Sequence, residues 1–322
     1  MNNLIITAAD AGAGGVSLVF IAGLCFIVLG MALLAAAFFM HRKFLAEAAA
    51  EQEMSLDSQP DMFAPSPAAK LSIFADSQLG NRQTQQDYCT YAANLSPQQL
   101  RMGTLGIVCD GMGGMEGGEM ASQLCAGTMY NGFYQLGEVD DICTALKELV
   151  MAADDEVSCL KSADGRKLNC GTTVVAAVVR GGKAYWVSCG DSRIYHIHNG
   201  TARQITRDHN LKLKLMEAAA AGMMSMEEAQ THPQREALIS YVGKGGDLII
   251  DTGIIDFRPD SGDMLLLCSD GVYKVLSQLD VLNIALDCAD EPSRVAATLA
   301  RTAIATGNVK HDNTTVLAFC YT

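Results

Sequence analysis

Four apolar runs in this chain stop at, or start from, an aspartate. TLGIVCD ends at Asp110, KAYWVSCGD at Asp191 and DMLLLCSD at Asp270, while TTVLAFC follows His311-Asp312-Asn313. A β-branched or aliphatic run bounded by Asp and a small residue reads as a strand followed by a turn, and a single Asp-Gly is ordinarily no more than that turn. Carboxylates at four strand ends are a different matter, because strand ends of one domain can converge. Gathered at one point they repel and raise one another's pKa unless a cation neutralises them. Hard oxygen donors without a matching His or Cys set favour Mg²⁺ or Mn²⁺ over Zn²⁺. Near the start of the same region, GNRQTQQD sets Arg82 and Asp87 in a polar, turn-rich segment. Arginine is a planar fork suited to phosphate oxygens, although Arg82 taken alone reads first as a surface ion pair. Metal-holding carboxylates together with a phosphate fork point to hydrolytic phosphoryl chemistry.

The elements that must position these groups are short. Gly181-Gly182 separates TTVVAAVVR from KAYWVS, and Asn199-Gly200 separates RIYHIH from TARQIT; both are tight-hairpin signals, so antiparallel pairing is expected in the middle of the chain. Helical patterns occupy Gly118–Leu136, Asp141–Leu160, Leu211–Ala221, Gln278–Leu286 and Pro292–Thr306, the last with proline in a tolerated first-turn position. Strands run in blocks rather than alternating one-to-one with helices, which predicts an α+β class.

Composition narrows the function. Lys+Arg number 23 against 36 Asp+Glu in 322 residues, a formal charge of −13, which excludes a polybasic nucleic-acid binder. Hydrophobic residues at 49% exclude a wholly disordered chain, and the mean hydropathy of +0.16 requires a local cause. Ala11–Met40 carries no charged residue, and VSLVFIAGLCFIVLGMALLAAAFFM from Val16 to Met40 has the length of one helix across a roughly 30 Å hydrocarbon layer. The start, MNNLIITAAD, has no Lys or Arg, unlike a signal peptide. His41-Arg42-Lys43 follow directly, so the positive-inside bias puts the C-terminal side in the cytoplasm. The expected organisation is a short extracytoplasmic N-terminus over 1–15, a transmembrane helix over 16–40, a juxtamembrane linker over 41–70 that includes SLDSQPDMFAPSPAAK, and a folded domain over 71–322.

The 11 cysteines make no Cys-x-x-Cys pair, and Cys109, Cys189, Cys268 and Cys320 sit in or beside apolar runs. They read as reduced, strand-packed thiols. Cys288 and Arg294 have the spacing of a thiolate phosphatase loop, but Asp290 and Glu291 would repel a phosphate dianion and Pro292 lacks an N–H. That chemistry is rejected.

The ordered set GNRQTQQD (80–87), VCDGMGGMEGGEMAS (108–122), CGTTVVAAVV (170–179), CGDSRIY (189–195), ITRDH (205–209), YVGKGG (241–246), LLLCSDGVY (265–273) and HDNTTVLAF (311–319) resembles the metal-dependent protein phosphatases of the protein phosphatase 2C type, in their bacterial form. The resemblance spans nearly all of 71–322. It implies an α-β-β-α sandwich of two mainly antiparallel sheets flanked by helices, with two Mn²⁺ or Mg²⁺ ions where the sheets meet. By the same resemblance Asp110 bridges both ions, Gly111 lends its carbonyl, Asp270 and Asp312 are further ligands, Asp87 holds metal-bound water, and Asp191 with Asp270 supports a third, weaker ion. Arg82 is the substrate-phosphate arginine. The implied activity is hydrolysis of phosphoserine and phosphothreonine on proteins by metal-activated water, without a phosphoenzyme; the competing reading is a catalytically inactive, membrane-tethered phosphoprotein-binding module. Phosphorylated proteins, including substrates of a kinase at the same membrane, are the expected partners, with membrane lipid around the one helix.

Two positions depart from the common pattern: Gln86 stands where many members carry an acidic residue, and Met112 where some eukaryotic members have histidine. The segment 208–246 resembles the family's flap beside the active site. Its Met216, Met223, Met224 and Met226 are read as gap-filling core in preference to an adaptable protein-binding surface.

Overall fold

The computed structural model describes residues 70–114, 117–258, 262–306 and 311–322. The expected N-terminal segment, transmembrane helix and nearly all of the linker lie outside the described residues. Among the described residues no helix is long and apolar enough to cross a membrane.

Two antiparallel sheets form the centre. The first runs in the order β1 (Leu71–Gln78), β11 (Thr314–Tyr321), β10 (Met264–Cys268), β7 (Arg193–His198), β8 (Thr201–Gln204). The second runs β2 (Asp87–Tyr91), β3 (Thr104–Gly113), β5 (Val174–Arg180), β6 (Lys183–Cys189), β9 (Asp251–Asp256), with the short β4 (Cys170–Thr172) paired to the far end of β3. The helices are α1 (Pro97–Met102), α2 (Gly117–Leu136), α3 (Ile142–Val157), α4 (Leu211–Ala220), α5 (Met226–Thr231), α6 (Asp270–Tyr273), α7 (Gln278–Asp287) and α8 (Val295–Thr306).

Strand periodicity explains the layering. Side chains alternate faces along a strand, and here both faces are covered. On β5, Val174, Ala176 and Val178 join Met129 and Phe133 of α2 and Leu146 and Val150 of α3 in one core. Val175, Ala177 and Val179 face the other way, into a core shared with Leu265, Leu267, Leu317 and Phe319 of the opposite sheet. The intervening residues Leu266, Val316 and Ala318 pack with Val281 of α7 and Leu299 of α8. The result is a helix–sheet–sheet–helix stack, and burial on both faces is why these strands read as continuous apolar runs instead of alternating ones. Gly106 lets the two sheets approach: a Cβ there would meet the Phe319 ring at 2.8 Å.

Both expected hairpins form, with β5 paired to β6 and β7 to β8. Three details differ from the sequence reading. β3 does not end at Asp110 but continues to Gly113, because β4 supplies pairing partners there. The run TTVVAAVVR is interrupted at Thr173, which separates β4 from β5. Helix α4 buries none of its residues, so its Met216 is no core residue, and Met223 is 76% and Met226 47% exposed; Met224 is only half-buried. The predicted core role of these methionines is therefore corrected: none of the four is buried, and Met223 and Met226 are exposed.

Cys109, Cys189, Cys268 and Cys320 are buried, unpaired thiols as expected. Burial pushes those of Cys189, Cys268 and Cys320 up to about 12, which keeps them protonated and unreactive. Cys288 is buried at the end of α7, while Arg294 pairs with Glu291 at 3.4 Å, so no phosphate loop exists there.

Candidate active site

The predicted residues meet at one end of the sandwich. Arg82, Asp110, Gly111, Asp191, Asp270 and Asp312 all line a single cleft of about 680 Å³. Asp87 is buried just beneath it, directly opposite Asp110 in the β2–β3 register.

Each carboxylate is placed by local chemistry. Two Asp-Gly pairs bring separate segments into contact because only glycine fits. A Cβ on Gly111 would lie 2.2 Å from the Gly118 carbonyl oxygen, and one on Gly271 would lie 2.1 Å from that of Asn313. Asp270 opens α6 after Ser269, whose Oγ donates to Asp87 Oδ2 at 2.7 Å and accepts the Thr315 N–H at 2.9 Å. Asn313 ties the Arg82 loop to the Asp312 turn: its Oδ1 accepts the Gln86 N–H at 2.9 Å, and its amide donates to the Leu79 and Thr84 carbonyls at 2.8 and 3.2 Å. Thr173 donates its N–H to the Asp110 carbonyl at 2.9 Å and shares a 2.7 Å hydroxyl contact with Ser192, next to Asp191. His209 Nδ1 accepts the Gly190 N–H at 3.1 Å, which leaves Nε2–H for Asp251 at 3.0 Å; burial lowers the His209 pKa and keeps the ring neutral in that role.

The electrostatics are those of a site awaiting positive charge. Burial, then the neighbouring carboxylates Asp270, Asp87, Asp191 and Asp312, raise Asp110 well above the usual carboxylate range. Burial pushes Asp87 up to about 7 against the hydrogen bonds of Ser269 and Thr315. Asp191 rises to about 6, by burial and then by Asp270. Asp270 is raised by burial first, with Lys274 opposing. Two protein cations face the group: Arg82 Nη2 donates to Asp312 Oδ2 at 2.6 Å, and Lys274 pairs with Asp270. Asp270 Oδ1 is buried without a hydrogen bond, an orphan that a divalent cation would satisfy. The donor set is all oxygen, which fits Mn²⁺ or Mg²⁺.

Sequence reading missed the supports. Lys274 had a legible signal, since it stands four residues after Asp270 at the head of a helix. Ser269, Asn313, Thr173 and His209 had none as positioning residues, because their partners are remote in the chain. Gln86 and Met112 both line the cleft.

The sequence profile of protein phosphatase 2C matches residues 76–308. The serine/threonine phosphatase stp of Listeria welshimeri is 30% identical over 181 residues, covering 55% of this chain and 70% of that protein. The crystal structure of the Mycobacterium tuberculosis serine/threonine phosphatase PstP/Ppp superposes with a TM-score of 0.61 at 27% identity, covering 78% of this chain and 98% of that one. A structure of the PstP catalytic domain in complex with two manganese ions gives a TM-score of 0.62 at 26% identity, with 79% and 99% coverage.

Proposed function

This chain belongs to the protein phosphatase 2C family, and from that premise we propose how its own residues carry out serine/threonine protein dephosphorylation. Asp110, Asp270 and Asp312, with the Gly111 carbonyl, hold two divalent cations, Mn²⁺ or Mg²⁺. Asp87 backs the site from beneath, and Asp191 with Asp270 offers a third, weaker position. Bound there, the ions supply an activated water at neutral pH and offset charge on the transferring phosphoryl group.

Arg82 orients the substrate. Its side chain is 54% exposed at the cleft while anchored to Asp312, so the guanidinium meets an incoming phosphate in a fixed position and needs little ordering on binding. Lys274 offsets part of the Asp270 charge. Glu236, Leu238 and Tyr241, from the segment 208–246, form part of the cleft wall, which lets that segment select among phosphoprotein surfaces; exposed Met223 and Met226 extend it with an adaptable apolar face.

Residues 16–40 anchor the enzyme in a membrane in this reading, with the phosphatase domain on the cytoplasmic side and substrates of a Ser/Thr kinase at the same membrane within reach. Their uncharged length and the His41-Arg42-Lys43 flank support it. Carbonate extraction of cell membranes would leave the chain in the pellet, and its release into the supernatant would refute the anchor.

The observation that carries the proposal is the convergence of Asp110, Asp191, Asp270, Asp312 and Arg82 on one cleft, with a buried Asp270 oxygen lacking a hydrogen bond. The test is hydrolysis of a phosphothreonine peptide by the full chain. Activity should require Mn²⁺ or Mg²⁺ and stop with EDTA; metal binding without any turnover would leave only the binding module.

A further inference from the structure

A second cluster of ligand-type side chains lies at the opposite end of β10 from the cleft. His196 and His198 are two apart on β7, so they share a face. Their neighbours Tyr195 and Ile197 pack beneath the helices, which turns the histidines toward the opposing sheet. There His196 lies 6.3 Å from the Phe257 ring and stacks on His198 at 5.3 Å, with 24° between the planes. Asp263 immediately precedes β10, and the register that sets Met264 opposite Ile197 brings it beside His198.

One ligand atom from each of the three residues falls within 4.8 Å of the others. His198 Nδ1 is 2.7 Å from Asp263 Oδ1, and His196 Nε2 is 3.5 Å from Asp263 Oδ2. The Asp263 side chain is fully enclosed while that of His198 is 39% exposed, so the cluster has a walled side and an open one. His196 Nε2 is buried and makes no hydrogen bond, a polar ring atom left unsatisfied at some cost.

We propose that His196, His198 and Asp263 form a binding site for a borderline divalent cation of the Zn²⁺ class, separate from the phosphatase centre. Two imidazole nitrogens and one carboxylate oxygen are a zinc donor set, in contrast to the all-oxygen set of the cleft. Bonds of about 2.0–2.2 Å in a tetrahedron place ligand atoms roughly 3.3–3.5 Å apart, so the side chains need to move by about an ångström, with solvent completing the fourth position through the open edge. The outer contacts suit the role. The Asn199 Nδ2 donates to His198 Nε2 at 2.9 Å, so Nδ1–H faces Asp263; a cation binding at Nδ1 would displace that proton, and the Asn199 amide, turned to present its oxygen, would then hold the Nε2–H. The Arg258 N–H donates to Asp263 Oδ2 at 3.2 Å. Of the nearby cations, Arg258 pairs with Asp256 at 3.6 Å, and Arg203, across the ladder from His196, is exposed. A bound ion would clasp β7 to the start of β10, at a distance of about 20 Å along the strand from Asp270.

The test titrates Zn²⁺ by calorimetry into the full chain in detergent, carrying Asp110→Asn and held in excess Mg²⁺, so that the cleft does not compete. One equivalent of Zn²⁺ should bind, and Co²⁺ in its place should show visible bands without thiolate charge transfer. His198→Gln, at a partly exposed position, should weaken Zn²⁺ binding by roughly a hundredfold, with a circular-dichroism spectrum like the parent's showing that it folds; His196→Gln should do the same to binding. Unchanged affinity in His198→Gln, absence of a bound equivalent, or thiolate bands with Co²⁺ would each overturn the site. Phosphatase activity is not the readout, so this outcome and that of the phosphatase assay are independent.

Discussion

Asp87 and Asp110 face each other across the β2–β3 ladder. Directly opposed side chains on one face of an antiparallel pair have Cβ atoms about 4.5–5.5 Å apart, where like charges are destabilising. The Ser269 hydroxyl relieves Asp87 on one side, but Asp270, Asp191 and Asp312 add to the burden on Asp110. The arrangement costs stability in the bare protein and is recovered when cations bind.

Asp110→Asn separates the two effects. Metal-dependent hydrolysis of p-nitrophenyl phosphate by the full chain should fall more than about 100-fold, the scale of losing a central electrostatic group. In EDTA the same variant should melt at a higher temperature than the parent, since the group most strained by burial and repulsion is neutral. A lower Tm in EDTA would contradict the repulsion argument.

Acidity should stabilise the metal-free domain. Asp87 and Asp191 have folded pKa values pushed up to about 7 and about 6 from 3.8. The folded state therefore binds more protons than the unfolded one between those values, and stability falls as pH rises from about 4 to about 7. Melting curves in EDTA across that range should show a falling Tm, and saturating Mn²⁺ should flatten or reverse the slope. A Tm that climbs with pH in EDTA would be inconsistent with these carboxylates being raised.

Ser269→Ala removes both the donor to Asp87 and the acceptor of the Thr315 N–H. Two buried groups lose their partner, which should cost about 1–3 kcal/mol. Urea unfolding in EDTA reads this loss, and a variant as stable as the parent would show that the bridge contributes nothing.

Asp154 is buried at the end of α3, where its carboxylate accepts the N–H groups of Gly243, Gly245 and Gly246 at 2.6, 3.2 and 2.7 Å. Asp154→Asn leaves one amide oxygen for three donors. Hydrogen exchange at Gly243–Gly246 should accelerate by roughly tenfold or more, in line with about 1.5–3 kcal/mol for a hydrogen bond to a charged group. Unaltered exchange there would mean that the loop holds itself.

Gly271→Ala places a methyl 2.1 Å from the Asn313 carbonyl oxygen. Backbone must shift, and the shift separates Asp270 from Asp312. Mn²⁺ affinity measured by calorimetry should drop even where the domain still folds; parent-like affinity would show that the close approach is dispensable.

The chain's local code determined its elements and its chemistry. Apolar runs stopped by Asp, glycine pairs at the hairpins and the helical repeats between them were enough to expect an α+β domain with antiparallel hairpins, because burial and tight turns leave direct marks on neighbouring residues; the sandwich itself was implied only by the resemblance of the ordered motifs to the phosphatase family. The aspartates were legible for the same reason, each at the edge of a recognisable strand. What tertiary structure alone decided is how those edges meet. Nothing near Asp87 in the chain shows that it opposes Asp110, that Ser269 hydrogen-bonds it, or that Asn313 ties the Arg82 loop to the Asp312 turn, since each contact joins segments far apart in sequence. Nor does the sequence tell that Met223 and Met226, between and at the start of the two short helices, are left exposed, because a helical repeat records which residues share a face, whereas burial depends on whether another surface arrives to cover it.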